Sequence, residues 1–268
     1  MLRAKLSTLR LACAVGTLAL VAGCSTLKDD PTTQWSNEKL YAEARDEASN
    51  NAFDKAISYF EKLEGRAAGT PLAQQAQLEK AFTQFKSNEP AQALATLDRF
   101  MRLHPASPAY DYALYLKSLV NFNENVGLLA LVGRQDLSER DQKAAKESFE
   151  ALKELVDRFP NSKYAPDAKA RMAYIVNSLA QYEIHVARYY FSRGAHVAAI
   201  SRAQQALVDY EGSPAQEEAL YILYRAYDAL GMKDLASDSR RILQKNYPNS
   251  DLMRSGFQKE GSPWWKLW

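Results

Sequence analysis

The chain has 268 residues, with 34 basic and 32 acidic side chains, a formal net charge of +2, 47% hydrophobic residues and two cysteines. That length suits one large domain or an extended repeat array. A charge so close to balance provides no electrostatic footprint for nucleic acid or for a strongly anionic bilayer surface.

The first predicted element is an export signal. Arg3, Lys5 and Arg10 precede the apolar run Leu11 to Val21, and small residues close it in Val21-Ala22-Gly23-Cys24. A basic head, a short apolar segment and a small-residue cleavage site make a secretory signal, and the run is too short to cross a bilayer, which needs roughly 20 residues. A cysteine directly after the cut marks a bacterial lipoprotein signal. Residues 1–23 are then removed between Gly23 and Cys24. The Cys24 thiol carries a diacylglycerol, and its new amine carries a fatty acyl group. Cys13 leaves with the signal, so no disulfide is available and the fold must rest on apolar packing. The signal also removes three basic side chains and no acid, which turns the charge of +2 into −1.

Residues 24–36 read as a lipidated polar tether, able to reach roughly 40 Å if fully extended at ~3.4 Å per residue. Beyond it the chain fills with Ala, Leu, Gln, Glu, Lys and Tyr, without β-type alternation. Turn signals recur as punctuation: Thr70, then Pro105-Ala106-Ser107, Pro160-Asn161-Ser162, Gly212-Ser213 and Pro248-Asn249-Ser250. The intervals of 37, 55, 51 and 37 residues, with two amphipathic helices per unit, predict an all-α, tetratricopeptide-like helical repeat solenoid of about five helix pairs. Small residues at Ala44, Ala56, Ala81, Ala93, Ala187, Ala199, Ala206 and Ala236 fall where stacked helices touch. Repeats 1–2 are expected over 37–105, repeats 3–5 over 106–255, and a Trp-rich tail over 256–268.

Two units depart from the common length. Residues 123–141 form an insertion in the third. Its Leu128, Leu129 and Leu131, with Arg140 and Asp141, make either a partner-contact loop or a segment folded back on the stack. The other departure is a long first helix in the fourth unit, from about Tyr164 to Phe191. The tail holds Trp264, Trp265 and Trp268, suited to capping the array, docking on a partner or sitting at a membrane interface.

Catalytic patterns are missing from the sequence. His104, His185 and His196 lack the spacing of a helical metal pair. No phosphate loop, nucleophile elbow or calcium loop is present, and carboxylates alternate with Lys and Arg on solvated helix faces, as in Asp238 and Arg241. The sequence points to a binding scaffold rather than an enzyme, with no cofactor.

The lipobox, the insertion ending Ser138-Glu139-Arg140-Asp141 and the run Tyr189-Tyr190-Phe191-Ser192-Arg193-Gly194-Ala195 together resemble the BamD family. So do Asp98-Arg99-Phe100-Met101-Arg102-Leu103-His104-Pro105 and Asp111-Tyr112-Ala113-Leu114-Tyr115. These are lipoproteins of the outer-membrane β-barrel assembly (Bam) complex. The resemblance implies an anchor in the inner leaflet of the outer membrane, facing the periplasm; Ser25 rather than aspartate after the lipidated cysteine agrees with that address. It further implies binding to BamA through the C-terminal repeats, to other Bam lipoproteins, and to unfolded outer membrane proteins at the N-terminal repeats. By position it puts Arg202 at the BamA contact, with a solvated helix-face arginine as the alternative. At the first corner, Arg66-Ala67-Ala68-Gly69-Thr70-Pro71 departs from the family's Tyr-Pro, which leaves Leu78, Phe82 and Phe85 as a local apolar ridge. That ridge serves either core packing or a client peptide. A different client is the competing reading: an adaptor lipoprotein that recruits periplasmic peptidoglycan hydrolases or a pilus secretin.

Overall fold

A computed structural model describes residues 30–122 and 142–257. Among the described residues eleven α-helices follow one another: α1 Asn37–Ser49, α2 Phe53–Arg66, α3 Pro71–Lys86, α4 Pro90–Leu103, α5 Tyr110–Asn121, α6 Gln142–Arg158, α7 Ala165–Ser192, α8 His196–Asp209, α9 Gln216–Ala229, α10 Lys233–Asn246 and α11 Asp251–Ser255. No strand occurs among the described residues. Each helix packs chiefly on its neighbours in sequence, with α9 also reaching α7. That is the arrangement of stacked helical hairpins.

Local chemistry sets the boundaries. Ser36, Thr70 and Ser250 cap α1, α3 and α11, their hydroxyls accepting from the backbone N–H of Lys39, Ala73 and Met253, and Pro71 and Pro90 occupy first helical turns where no N–H is needed. Inside four repeats the turn between the paired helices is built alike. Asn51, Asn88, Gly194 and Gly231 adopt φ of 61°, 64°, 74° and 73°. The next residue in each case donates its N–H five residues back, from Ala52 to Glu47, Glu89 to Gln84, Ala195 to Tyr190 and Met232 to Tyr227. This 6→1 closure satisfies carbonyls that the helix end would otherwise leave open. The corners between repeats recur too. At Thr70, Ser107, Ser162, Ser213 and Ser250 the backbone N–H bonds to the carbonyl three residues earlier.

Alanines make the close approaches: Ala44, Ala56, Ala81, Ala93, Ala187 and Ala199 are fully buried, and Ala206 and Ala236 nearly so. Phe60, Leu63, Leu97, Phe100, Leu152, Leu155 and Ile222 fill the spaces between. The long α7 packs on its neighbours at both ends. Tyr164 at its start stacks on Tyr115 at 4.7 Å, Tyr174 meets Phe122 edge to face, and its C-terminal half packs on α8 and α9. At the far end Leu252, Met253 and Phe257 cover Leu220, Tyr221 and Leu243.

The polar segment before α1 differs from the free tether expected over 24–36. From Asp30 onward it is docked on α2. Thr32 is buried, its carbonyl accepting from Arg66 Nη1 at 2.7 Å, and Lys62 Nζ lies 2.7 Å from Asp30 Oδ2. Trp35 packs edge to face on Tyr59 with Lys39 over its ring. Hydrogen bonding by Lys62, then by Thr32, holds the Asp30 carboxyl at about 2. Among the described residues no helix is long and apolar enough to cross a membrane.

Candidate functional site

The ridge expected on α3 is divided by the fold. Helices α2, α4 and α5 surround α3, so Leu78 is buried with Ala81, Ala93 and Leu97, and Phe85 packs half-buried on the same cluster. Phe82 alone of the three is exposed, at 39%. Core packing thus accounts for Leu78 and Phe85, and Leu78 also reaches a groove of about 960 Å³ between repeats 2, 3 and 4.

The groove runs past α3, the Ser107–Ala109 corner, the start of α5 and the Asn161–Tyr164 corner. The corners are latched to the helices beside them. Ser107 Oγ donates to Gln74 Oε1 at 2.8 Å, and Ser162 Oγ to Asp111 Oδ2 at 2.6 Å. On α3, Gln75 Nε2 donates to Tyr41 Oη at 2.6 Å, and Tyr41 Oη donates to Glu79 at 3.3 Å. Tyr112 and Tyr164 line the groove with ring centres 5.6 Å apart. Burial, then the Glu79 charge, pushes the Tyr112 phenol up to about 12, so it stays a neutral donor at any physiological pH. Tyr115 donates to Asp167 Oδ2 at 2.7 Å. Amphipathic rings, amides and few net charges suit an extended polypeptide. No nucleophile–base pair is among them, and no cluster of metal-binding side chains occurs among the described residues.

Arg202 lies on α8, its side chain 45% exposed, with Nη1 donating to Glu183 Oε2 at 3.1 Å. It is therefore neither wholly solvated nor free. Sequence reasoning passed over the tyrosines of the groove as binding residues, although Tyr112 and Tyr115 stand in the run that carries the resemblance. Nothing in local periodicity brings Tyr164, about fifty positions on, to the same wall. Gly23 and Cys24, the loop residues Leu128, Leu129, Leu131, Arg140 and Asp141, and the tryptophans of the tail lie outside the described residues.

A family profile described as outer membrane lipoprotein (YfiO) matches residues 33–242. Outer membrane protein assembly factor BamD of Neisseria meningitidis serogroup A is 47% identical over 242 residues, covering 90% of this chain and 91% of the relative. The chain belongs to this lipoprotein family. BamD proteins of Xylella fastidiosa, 37% identical over 245 residues, and Vibrio cholerae, 32% identical over 229 residues, extend the likeness. They cover 91% and 85% of this chain, and the chain spans 84% and 95% of them. Of solved structures, MamA protein superposes loosely, with a TM-score of 0.37 and 16% identity over 85% of this chain and 98% of that one. The family's helical-repeat character here is read from the recurring turns and corners themselves.

Proposed function

We propose that this chain is a periplasm-facing scaffold of the outer-membrane barrel assembly machinery, anchored through lipid on Cys24. The observation that carries the reading is the 47% identity to a named assembly factor over nine-tenths of the chain. In this reading the C-terminal repeats, with Arg202, bind BamA. The groove of Leu78, Tyr112 and Tyr164, with Phe82 nearby on α3, receives unfolded outer membrane proteins. The 123–141 insertion serves as a partner-contact loop. The physical support is a repeat-built groove that offers rings and amides to an extended chain.

Depletion in cells tests the function: barrel proteins are expected to vanish from the outer membrane, and their persistence would sink the reading. Affinity capture from detergent-solubilised outer membranes should recover a large barrel protein with periplasmic domains. Recovery of a peptidoglycan hydrolase or a secretin in its place would favour the adaptor alternative. Cys24→Ser should abolish labelling by a radiolabelled fatty acid and release the chain from membranes, while its far-UV circular dichroism stays that of a helical protein.

A further inference from the structure

The apolar stripe of α7 that packs into the core comprises Ile175, Leu179, Ala180, Ile184 and Ala187, all buried, and an acid interrupts it. Glu183 is only 4% exposed. The buried residues of α8 are Ala199, Ala203 and Ala206, none of which can hydrogen-bond a carboxylate through its side chain. Arg202 does so from the edge of the interface, with Nη1 3.1 Å from Glu183 Oε2. The two ends of this pair sit in different media: the Glu183 side chain is 6% exposed and that of Arg202 45%. Tyr210 also senses the buried acid. Burial raises its phenol first, and the Glu183 charge adds to the effect.

A half-buried pair of this kind is a weak source of stability, because desolvating the carboxylate offsets most of the attraction, and apolar residues of similar volume would serve the core as well. What the pair does supply is direction. A guanidinium presents five N–H donors in a rigid fork. Held at one nitrogen by an immobile carboxylate, it keeps the remainder available on the exposed side, with much of its side-chain freedom already lost before a partner arrives.

We propose that Glu183 is a positioning residue, which fixes the Arg202 guanidinium in the orientation that the periplasmic partner engages. This rests on the reading above, in which Arg202 meets the barrel-forming subunit.

The test measures the affinity of the full mature chain for the detergent-solubilised barrel-forming subunit, with thermal melts alongside. Wild type is compared with Glu183→Gln, Arg202→Ala and the double variant. Glu183→Gln should melt close to wild type yet bind about three- to tenfold more weakly. Arg202→Ala should bind more weakly still, and melt lower because it strands a buried carboxylate. The double variant should regain the melt while binding no worse than Arg202→Ala. Wild-type affinity in Glu183→Gln, beside weak binding by Arg202→Ala, overturns the positioning role and leaves the partner reading standing. Wild-type affinity in both Arg202→Ala and the double variant removes the reading beneath it. A further loss on adding Glu183→Gln to Arg202→Ala also overturns the proposal, because Glu183 would then act through the fold. Should Glu183→Gln fail to fold, Glu183→Asp, which keeps the charge and shortens its reach, carries the same expectations for affinity, whereas its double variant with Arg202→Ala should stay low in its melt because a buried carboxylate remains stranded.

Discussion

At Glu64 three helices from two repeats meet on one carboxylate. Arg99 Nη2 of α4 lies 2.7 Å from Oε1, Gln77 Nε2 of α3 donates to the same oxygen at 2.8 Å, and Lys80 Nζ lies 3.2 Å from Oε2. Burial alone would raise this acid, but the hydrogen bond from Gln77 and the charges of Lys80 and Arg99 outweigh it and hold the carboxyl below its usual 4.5. An acid with a lowered folded value stabilises the fold fully above its unfolded value, and that contribution is lost as pH falls through the folded value. Urea denaturation should therefore show wild type more stable than Glu64→Gln at pH 7, with the gap closing below about pH 4. A gap that is constant with pH would mean that the charge of Glu64 contributes nothing. Glu64→Ala should cost about 2–4 kcal/mol, since Lys80 is buried and would keep only Glu61, 3.7 Å away.

The turns inside the repeats make a prediction at the scale of the element. Gly194 and Gly231 hold left-handed backbone with nothing within 4 Å of where a Cβ would stand, so an added methyl meets only the backbone penalty. Gly194→Ala and Gly231→Ala should each cost about 1–2 kcal/mol in denaturant titrations. Gly65, within α2 and equally unobstructed, should do the reverse, with Gly65→Ala gaining about 0.5–1 kcal/mol. Loss of stability in Gly65→Ala would contradict the helical backbone there. The helices and the corners between repeats were legible in the sequence because their determinants are local: good helix formers, a corner serine or threonine, and small alanines where stacked helices touch. Glu183 was not, because a carboxylate in an apolar stripe looks like a solvated one until the facing helix is known. Nor was the docking of Asp30 and Thr32, since the cations that hold them, Lys62 and Arg66, lie some thirty positions away and read as ordinary surface charge. The groove was half visible, with its tyrosines present in the sequence but their convergence a product of stacking.

On the scale of the whole molecule, stability in such an array is close to a sum of repeats and their interfaces, and its ends need covering. The cap at the C-terminal end includes α11 and Phe257. A chain ending at residue 249 should lose several degrees in its melt and begin to unfold from α9 and α10, read as faster amide exchange there. Removal of residues 262–268 alone separates two of the three roles open to the tail: a lowered melt assigns it to capping, whereas an unchanged melt with failed complex assembly assigns it to docking. The docked segment at the other end bears on kinetics. With Cys24 lipidated as proposed, only six Cα steps separate the anchor from Asp30, at most about 20 Å of chain. The lipid and α2 are thus the two ends of a short leash, and the first repeat samples a small volume just under the bilayer. Local concentration falls roughly as the −3/2 power of linker length. Freeing residues 30–36 with Trp35→Ala, Lys62→Ala and Arg66→Ala together roughly doubles the leash and should dilute the scaffold about threefold for membrane-embedded partners, while leaving its affinity in detergent unchanged.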